Sequence, residues 1–545
     1  MLRKTSTDAS RHTIPSGKAT LVGAGIASLA AAVYLIRDAG FVGSDIRILE
    51  ADHVLGGSLD GAGNDTDGYV VRGGRMFEAH FGCTFDLLDG IPTLTDPSCS
   101  VTEEIKRFTE QVVSSSKCRL AIDGAPVAAP EFGLTLRDKW DLIRLSLLSE
   151  RTLGDTTIAE YFAPHFFETN YWTMWCTMFA FQPWHSVAEM RRYMRRFMHL
   201  LPGLSRLEGI YRTRLNQFDS IVAPLVHWLG KQGVAFELGS PVMAVEFDAS
   251  RTQVTALTVR TDGREQRLAI SPDDKVFITL GSMTEASSLG SMTSAPSRPE
   301  RPTPGAWALW QQIAKASASF GRPDRFASDT SKTLWESFTV TLDNPRFFEF
   351  MESFTGNPAG TGGLVTFKHS GWLMSIVLAH QPHFVNQGDG VFVFWGYGLH
   401  PHNLGDEIDK PMLECTGAEI LTELAHQLGL AEESHLAGAQ CIPCLMPYIT
   451  TQFMPRSPGD RPAVVPIGAR NFAFIGQFCE LPDDTVFTVE YSVRTAQVAV
   501  FEACGVAHSV TPLYRGFMQP RVIISALRTL LRNGRVSEQK PESSP

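Results

Sequence analysis

The sequence has few cysteines, no long unbroken apolar run and no excess of positive charge. Nine cysteines in 545 residues are too sparse to hold a disulfide scaffold. No run of about 18 or more apolar residues occurs, so no membrane-spanning segment is expected. Lys and Arg number 48 against 58 Asp and Glu, which gives a net charge of −10. This balance argues against a nucleic-acid partner.

Intrinsic disorder is also excluded as the main state of the chain. With 43% hydrophobic and 19% charged residues, the chain can bury a large core. Residues 1–17 are the exception, because they are rich in Ser, Thr and basic residues, and we predict a disordered lead-in there. They lack the apolar stretch of a secretory signal, which favours a cytoplasmic location, with peripheral membrane contact left open.

One pair of cysteines is close in sequence, Cys441 and Cys444. Their spacing is that of half a zinc site or of a redox pair. No second Cys-x-x-Cys and no nearby His-x-x-x-His motif completes such a site. We therefore predict two reduced, structural thiols and no metal.

Residues 19–50 carry the strongest local signal. A short apolar run, Ala19 to Val22, predicts a buried parallel strand, and an Ala- and Leu-rich helix follows its glycine-rich turn. A second strand, Ile46 to Leu49, ends at Glu50. This order of strand, turn, helix, strand and acid is typical of a dinucleotide-binding βαβ unit.

The residues of the turn have separate physical roles in such a unit. Gly23 permits the tight turn, Gly25 lets the backbone approach a pyrophosphate, and the small Ser28 lets helix and strand pack closely. The phosphates would lie at the helix N-terminus, where unpaired N–H groups favour an anion. Glu50 would accept hydrogen bonds from the ribose hydroxyls.

A glycine pair, Gly56 and Gly57, follows Glu50 within a few residues. A strand-end acid followed by such a pair is typical of FAD proteins of the glutathione-reductase type, so the cofactor indicated is FAD rather than NAD. The late part of such a domain fits residues 471–494, which predict a strand, the close-approach Gly476 and a helix. No second Gly-x-Gly-x-x-Gly motif occurs that would bind NAD(P)H. This favours a flavin that transfers little hydride.

Longer motifs extend over most of the chain. In order they read LGGSLDGAG (55–63), RGGR (72–75), FAFQPWHS (179–186), RRYMRRFMH (191–199), NQFDS (216–220), GSMTEASSLGSM (281–292), QPHF (381–384), FWGYGLHP (394–401), PMLECTGAEIL (411–421), CIPCLMPYITTQFMPR (441–456) and IGQFCELPDDTVFTVEYSVR (475–494). In these segments the chain resembles the oleate hydratase family, also called the myosin-cross-reactive antigen family. The resemblance implies a hydro-lyase that contains FAD and adds water across the cis-9 double bond of an unsaturated free fatty acid. Oleate would become 10-hydroxystearate.

The same resemblance implies a set of FAD-binding positions. They are Gly23, Gly25, Ser28, Glu50, Gly56, Gly57, Arg72, Gly73, Gly74, Ser282, Gly476 and Gln477. Gly73 and Gly74 would bring their loop close to the isoalloxazine. Water addition changes no net oxidation state, so the flavin is expected to act structurally or electrostatically, with FADH2 as the more active form.

Hydration of an isolated alkene needs a proton donor at one carbon and a base, or an oriented water, at the next. By resemblance the donor is Tyr193, whose phenol is protonated at neutral pH. The family's water-activating Glu directly follows RGGR, but that position here is Met76, which is expected to line the site. Either Glu78 takes over this role on a flexible loop, or backbone groups and the flavin orient the water.

The anchor for the substrate carboxylate departs from the family as well. Family members place Thr and Asn shortly before the His of a QPHF-like motif. The matching positions here are Val377 and Ala379, and His383 is retained. Either His383 holds the carboxylate together with other residues, or the head group lies elsewhere. His380 is a spare candidate without support from the family.

The predicted fold is α/β. It combines a Rossmann-like FAD-binding domain of glutathione-reductase type, an inserted substrate-binding α+β domain and a C-terminal helical segment. The FAD-binding domain is expected to be discontinuous, with residues 18–100, 221–295 and 455–505. Residues 101–220 and 296–454 form the substrate-binding lobes in this prediction, and residues 506–545 form the C-terminal segment with its disordered tail.

Residues 520–535 predict a basic amphipathic helix, which would lie on an anionic membrane or pack on its own domain. The arginines within residues 191–196 are a second place to look for an anionic lipid. A monomer is expected rather than a homodimer. Two other functions stay open: a flavin oxidoreductase or isomerase acting on a lipid or carotenoid, and a non-catalytic, flavin-loaded fatty-acid-binding protein, which Met76 favours.

Overall fold

The computed structural model describes residues 17–128, 130–298, 305–362, 364–430 and 435–535. Residues 1–16 of the predicted lead-in and residues 536–545 of the predicted tail lie outside the described residues. The strands are β1 Ala19–Val22, β2 Ile46–Leu49, β3 Gly61–Asn64, β4 Gly68–Val71, β5 Phe77–Glu78, β6 Cys118–Ile122, β7 Ala125–Ala128, β8 Ile210–Tyr211, β9 Ala235–Glu237, β10 Val242–Phe247, β11 Val254–Thr261, β12 Arg264–Ala269, β13 Lys275–Thr279, β14 Ser288–Leu289, β15 Trp335–Leu342, β16 Leu364–Phe367, β17 Met374–Leu378, β18 Phe392–Gly398, β19 Gln440–Met446 and β20 Phe472–Ile475.

The α-helices occupy a larger share of the described residues than the strands. They are α1 Ile26–Arg37, α2 Gly82–Asp89, α3 Val101–Gln111, α4 Leu136–Leu147, α5 Glu150–Leu153, α6 Ile158–Tyr161, α7 Asn170–Phe179, α8 Val187–Arg196, α9 Ala223–Lys231, α10 Ala306–Ala314, α11 Asp324–Ala327, α12 Arg346–Thr355, α13 Gly417–Leu428, α14 Val489–Cys504 and α15 Pro520–Leu531. Among the described residues, no helix is both long enough and apolar enough to cross a membrane.

A five-stranded parallel sheet is built around the predicted βαβ unit. Its strand order is β20-β13-β1-β2-β9, which places the first strand of the chain at the centre. All four side chains of β1 are buried, as expected for a parallel strand that is covered on both faces. The late strand β20 joins the edge beside β13. The predicted βαβ unit and the predicted late strand are therefore confirmed.

Helix α1 covers one face of this sheet. Its residues 26–35 are all buried, and its many alanines let it lie close to the strands. It packs against β1, β13 and α14. α14 is the predicted late helix, and the Thr488 side chain caps it by accepting a hydrogen bond from the backbone N–H of Tyr491. The early and late parts of the chain therefore meet in one α/β layer.

Two further sheets lie outside this layer. β10, β11 and β12 form an antiparallel three-stranded sheet, and an eight-stranded sheet has the order β14-β19-β15-β18-β17-β16-β6-β7. β6 and β7 come from the predicted lobe 101–220, whereas β15 to β19 come from the predicted lobe 296–454. The parallel pairing of β6 with β16 joins them. The domain bounds stay a prediction, but strands from both predicted substrate lobes share one sheet.

Cys441 and Cys444 both lie on β19, and both thiols are free and buried. Residues three positions apart on a strand point to opposite faces of the sheet. Burial raises the pKa of both thiols, which keeps them protonated. This placement fits the predicted structural role and does not fit a redox pair.

Candidate functional site

A groove of about 160 Å³ runs along the turn between β1 and α1. The predicted FAD-binding residues that line it are Gly23, Gly25, Glu50, Gly56, Gly57, Ser282, Gly476 and Gln477. A methyl group placed on Gly25 would have no other atom within 4 Å, so open space faces the backbone where a pyrophosphate would approach. The residues present therefore fit a dinucleotide.

The acid at the end of β2 is held in position for this groove. One oxygen of Glu50 accepts a hydrogen bond from the Ala24 backbone at 2.5 Å, and the other accepts one from the Asp52 backbone at 2.9 Å. Burial raises the pKa of Glu50, although these backbone hydrogen bonds oppose the rise. The carboxylate therefore lies at the groove with its orientation fixed.

The other predicted FAD-binding positions lie outside the groove. Ser28 is fully buried, and its hydroxyl lies 3.3 Å from that of Thr279 on β13, so it serves the predicted helix–strand packing. The Arg72 Nε donates to Asp60 at 2.6 Å. Gly73 is buried at a position where a methyl group would meet the Trp395 ring. Gly74 lines a second cavity.

This second cavity, which we call the catalytic cavity, has a volume of about 100 Å³. It brings together the three residues predicted for catalysis: Met76, Glu78 and Tyr193. Gly74 and Phe487 also line it, and they connect it to the loop after β4 and to the start of α14. Residues separated by more than a hundred positions in sequence therefore meet in one small space.

Tyr193 lies on α8 and is almost fully buried. Its hydroxyl donates to the backbone carbonyl of Val486 at 2.5 Å. Its ring packs against the rings of Phe179, Phe181 and Phe453. Burial raises the pKa of Tyr193 well above its usual value, and the charges of Glu189 and Asp484 add to this effect. The phenol is therefore neutral at neutral pH and carries a proton.

Glu78 lies on β5 and is 1% exposed, so the expectation of a carboxylate on a flexible loop is wrong. One oxygen accepts a hydrogen bond from Arg196 at 2.7 Å. The other lies 3.3 Å from His199 Nε2 and 2.9 Å from His80 Nδ1. Burial would raise the pKa of Glu78, but the hydrogen bond with His199 and the charge of Arg196 outweigh it and lower the pKa to about 2.

The ligand atoms of Glu78, His80 and His199 all lie within 4.8 Å of one another, a spacing that could hold a metal ion. The Arg196 guanidinium already neutralises the carboxylate, at the 2.7 Å distance given above. A cation placed here would be repelled by that guanidinium. We therefore interpret the cluster as an ion-pair and hydrogen-bond network that joins β5 to α8.

Three of the four arginines of α8 are buried and paired with acidic residues. Arg192 donates to Glu150 at 2.7 Å and to Glu480 at 2.6 Å. Arg191 and Arg196 are buried as well, and Arg196 is paired with Glu78. The expectation that residues 191–196 attract an anionic lipid is therefore wrong for three of the four arginines, because acidic residues distant in sequence pair with them inside the fold. Arg195 is partly exposed and lies over the Phe517 ring.

A third cavity, which we call the apolar cavity, has a volume of about 290 Å³. Its lining is almost entirely apolar and comes from α4, α7, α8, the 3₁₀ segment Met198–Arg206, β8 and α15. Met178, Phe179, Phe197, Leu200 and Ile210 line both this cavity and the catalytic cavity. A single layer of side chains therefore separates the two spaces.

The sequence motifs did not identify the lining of the apolar cavity. The only signals were the aromatic composition of α7 and the apolar face of α15, and each is equally typical of an ordinary core. The residues come from six elements whose contact depends on the tertiary fold. Periodicity within one element cannot reveal such a contact.

The predicted carboxylate anchor lies on and after β17. Val377 is in the strand and pairs with Trp395, and the Ala379 carbonyl accepts a hydrogen bond from Gln381 at 3.0 Å. Neither side chain can bind a carboxylate. Burial, with the nearby charges of His380 and Arg212, lowers the pKa of His383 to about 4. Val377, Ala379 and His383 line neither the catalytic nor the apolar cavity as the described residues define them.

Comparison with known proteins agrees with this architecture. The chain is 39% identical over 498 residues to an oleate hydratase of Streptococcus pyogenes serotype M49 (strain NZ131), covering 89% of this chain and 84% of that protein. It is 33% identical over 564 residues to a linoleate hydratase of Lactiplantibacillus plantarum, covering 94% and 98%.

A solved structure shares the fold at low identity. The cyclohexylamine oxidase from Brevibacterium oxydans IH-35A superposes with a TM-score of 0.53 and 14% identity, over 90% of this chain and 99% of that one. The sequence model described as the MCRA family matches residues 16–501, which is most of the chain. The chain therefore belongs to the MCRA family.

Proposed function

We propose that this protein hydrates the isolated cis-9 double bond of unsaturated free fatty acids and converts oleate to 10-hydroxystearate. The observation that carries the proposal is the position of Tyr193, a buried and protonated phenol in a small cavity beside a large apolar one. An acyl chain needs such an apolar space, and the reaction needs a proton donor at its end. The names of the two bacterial relatives support the same activity.

Tyr193 supplies the proton in this mechanism. Its hydroxyl turns from the Val486 carbonyl to one alkene carbon, the O–H bond breaks, and a C–H bond forms. Water oxygen then bonds to the neighbouring carbon, and the proton that water loses returns to the phenolate. The charge of Arg75, which lines the same cavity, lowers the pKa of Tyr193 against the effect of burial. It therefore stabilises the transient phenolate.

Water is activated either by Glu78 as a base or by backbone groups and the flavin that orient it. A carboxylate with a pKa of about 2 is a weak base at neutral pH, and Arg196, His199 and His80 already occupy its oxygens. We favour an arrangement in which backbone groups of the cavity wall orient the water and Met76 limits the space. Glu78 then positions Arg196 and the β5 backbone, and its direct role as a base stays a prediction.

FAD is the cofactor we propose for the groove beside α1. Glu50 would bind the ribose, the backbone from Gly23 to Gly25 would approach the pyrophosphate, and Gly476 and Gln477 would face the ring system. When bound, the flavin would supply a planar surface with charge and hydrogen-bonding groups beside the catalytic cavity, and FADH2 would be the more active form. The bounds 18–100, 221–295 and 455–505 stay our proposal for the domain that holds it.

We also propose peripheral contact with anionic membranes through α15, in a cytoplasmic monomer. Ala526 and Leu530 pack against the protein, whereas Ile524 and Leu531 are 48% and 70% exposed. One face of the helix therefore packs on the protein, and another face is free to contact a membrane. Both roles predicted for residues 520–535 fit this arrangement. Arg521 and Arg528 supply positive charge beside the free apolar residues.

A single incubation tests the proposed activity. Holoenzyme is mixed with oleate in ¹⁸O-labelled water, and the products are analysed by mass spectrometry. Hydration predicts a product that gains one labelled water while the flavin spectrum stays unchanged. A flavin oxidoreductase would instead bleach the flavin in proportion to substrate, and a binding protein would return oleate intact. Either of these results would overturn the proposal.

A further inference from the structure

Gln477 lies between the cofactor groove and the catalytic cavity. It is buried and lines the groove together with Ser492. Its side-chain amide donates to the Ser492 hydroxyl at 2.8 Å and to the Thr488 carbonyl at 2.9 Å. Thr488 lines the catalytic cavity. One side chain therefore contacts residues of both spaces.

The oxygen of the same amide is used as well. It accepts a hydrogen bond from the backbone N–H of Phe487 at 2.5 Å, and Phe487 also lines the catalytic cavity. The three hydrogen bonds of the Gln477 amide therefore all hold residues 487–492. We interpret this side chain as a support for the turn before α14, although the residue lies at the groove.

The Phe487 N–H and the Val486 carbonyl belong to one peptide group. That carbonyl accepts the hydrogen bond of the Tyr193 hydroxyl at 2.5 Å. A peptide group is planar and rigid, so its N–H and its carbonyl cannot turn independently. The hydrogen bond with Gln477 therefore fixes the direction of the carbonyl that holds Tyr193. Two hydrogen bonds in series also polarise and strengthen each other.

The backbone of Phe487 needs this support. Its φ is +65°, in the left-handed region that is strained for a bulky side chain. Its ring lies 5.4 Å from the Phe453 ring and 5.4 Å from the Arg75 guanidinium. Strain of this kind persists only where the surroundings hold a residue firmly. Here Gln477 holds the backbone, and the two ring contacts hold the side chain.

We propose that Gln477 is a positioning residue that couples the cofactor groove to the proton donor Tyr193 through the peptide group between Val486 and Phe487. Gln477 and Ser492 would border a cofactor in the groove, so its occupancy reaches the Tyr193 hydroxyl through two hydrogen bonds in series. This inference rests on the proposed function for the role of Tyr193. It deepens that function by making the proton donor depend on a cofactor that undergoes no net redox change.

The surroundings of Tyr193 can be measured without turnover. The chain has 10 tyrosines, so 3-fluorotyrosine labelling gives few ¹⁹F NMR signals, and Tyr193→Phe assigns the signal of Tyr193. In the flavin-free, full-length protein, we expect Gln477→Met to move or broaden this signal, because methionine keeps the length but loses the hydrogen bonds. Added FAD should shift the signal in wild type, and Gln477→Met should lose at least about half of that shift.

Kinetics of the flavin-saturated enzyme give a second measure. Gln477→Met should lower kcat by at least about tenfold and leave KM for oleate within about threefold, because the donor is misplaced while the apolar cavity is intact. Gln477→Glu is the conservative variant. Burial favours its neutral carboxyl, which can accept from Phe487 and donate to Thr488. It should restore the Tyr193 signal and bring kcat within about threefold of wild type.

Gln312 on α10 provides a matched control. Its amide accepts a hydrogen bond from the Val245 N–H at 3.1 Å and donates to the Val245 carbonyl at 3.2 Å. It lies outside the lining of the groove and of the catalytic cavity. Gln312→Met should therefore leave the Tyr193 signal, its FAD-induced shift and kcat unchanged.

Three outcomes would overturn the assignment: an unchanged Tyr193 signal in Gln477→Met, a full FAD-induced shift in that variant, or an equal effect of Gln312→Met. Ser492→Ala removes only one contact of the amide and decides the question if Gln477→Met does not fold. It should move the Tyr193 signal in the same direction, and no movement would refute the coupling. Absence of hydration with a Tyr193 signal that depends on Gln477 and FAD would count against the proposed reaction alone.

Discussion

At the scale of single residues, Tyr193 depends on its surroundings for the role we propose. Burial keeps its phenol protonated, and its hydroxyl is held by the Val486 carbonyl until substrate arrives. We expect Tyr193→Phe to lower kcat by at least about 100-fold, the usual effect of removing a general acid. FAD content and melting temperature should stay close to wild type. Steady-state kinetics with oleate measure kcat, and the flavin absorbance of the purified variant measures its FAD content.

Tyr397 provides a matched control for that substitution. It is also buried, and its hydroxyl donates to a backbone carbonyl, that of Thr177. Tyr397→Phe should leave kcat within about threefold of wild type, because only a structural hydrogen bond is lost. Equal losses in the two variants would show that Tyr193 acts through packing, and near-normal turnover of Tyr193→Phe would refute a proton-donor role.

Residue roles could be predicted where the signal is local. Gly25 and Glu50 belong to one short motif, and the structure places both at the groove. Glu78 could not be understood in this way. Its carboxylate is held by Arg196 and His199, which lie about 120 positions away in sequence. The residues around position 78 therefore do not predict these contacts.

At the scale of elements, the turn from β1 to α1 is open on the side where FAD would bind. A methyl group on Gly25 meets nothing within 4 Å in the protein itself, and its φ of −72° suits alanine. We therefore expect Gly25→Ala to fold normally but to bind FAD at least about tenfold more weakly, because the methyl group occupies the space of the pyrophosphate. Flavin titration of the apoprotein measures the affinity.

Gly90, at the end of α2, is the matched control for this experiment. A methyl group there also meets nothing within 4 Å, but no predicted cofactor residue lies in that turn. Gly90→Ala should leave FAD affinity unchanged. If Gly25→Ala retains full affinity, or loses its fold without FAD, the proposed place of the pyrophosphate is wrong.

The network that joins β5 to α8 predicts a dependence of stability on pH. The pKa of Glu78 falls from 4.5 to about 2 in the folded protein. The stabilisation is therefore present above pH 4.5 and is lost as pH falls toward 2. It amounts to about 3 kcal/mol near pH 7. Glu78→Gln should lower the melting temperature near pH 7, and the gap to wild type should shrink by about half near pH 3.

Glu110→Gln, at an exposed position of α3, is the control for charge removal and should show no such gap. A gap of equal size at both pH values would mean that Glu78 contributes through packing alone. The pH dependence of hydration by the wild-type protein tests the base role. Because the pKa of Glu78 is about 2, we expect no inflection from Glu78 in the pH–rate profile above pH 4.

Element types were easier to predict than element surroundings. The βαβ unit follows from the spacing of apolar residues and glycines, so β1, α1 and β2 lie where expected. The arginines within residues 191–196 predict an accessible basic cluster, whereas three of the four are buried on α8. A run of arginines is usually solvated, and only the tertiary fold brings Glu150 and Glu480 to it.

At the scale of the whole molecule, the apolar cavity and α15 belong together. Ile523, Ala526, Leu527 and Leu530 of this helix form part of the cavity wall, while other residues of the same helix stay exposed. An enzyme that takes its substrate from a lipid phase would place its membrane contact beside the substrate cavity. The sequence of residues 520–535 predicts an amphipathic helix, but it does not predict the cavity that this helix covers.

This arrangement predicts that α15 contributes to membrane binding. Ile524→Ser combined with Leu531→Ser should weaken binding to vesicles that contain phosphatidylglycerol by at least about fivefold, because less apolar surface enters the lipid. The activity on detergent-dispersed oleate should stay near wild type, since neither residue lines the cavity. Vesicle sedimentation measures the binding.

The control for this prediction removes the same side chains elsewhere on the surface. Ile467 and Leu404 are exposed and lie outside α15, so Ile467→Ser with Leu404→Ser should leave vesicle binding unchanged. Equal losses in both double variants would indicate general surface adhesion. Full binding after the substitutions in α15 would refute its membrane role, whereas binding that falls together with detergent activity would show that the helix mainly supports the cavity wall.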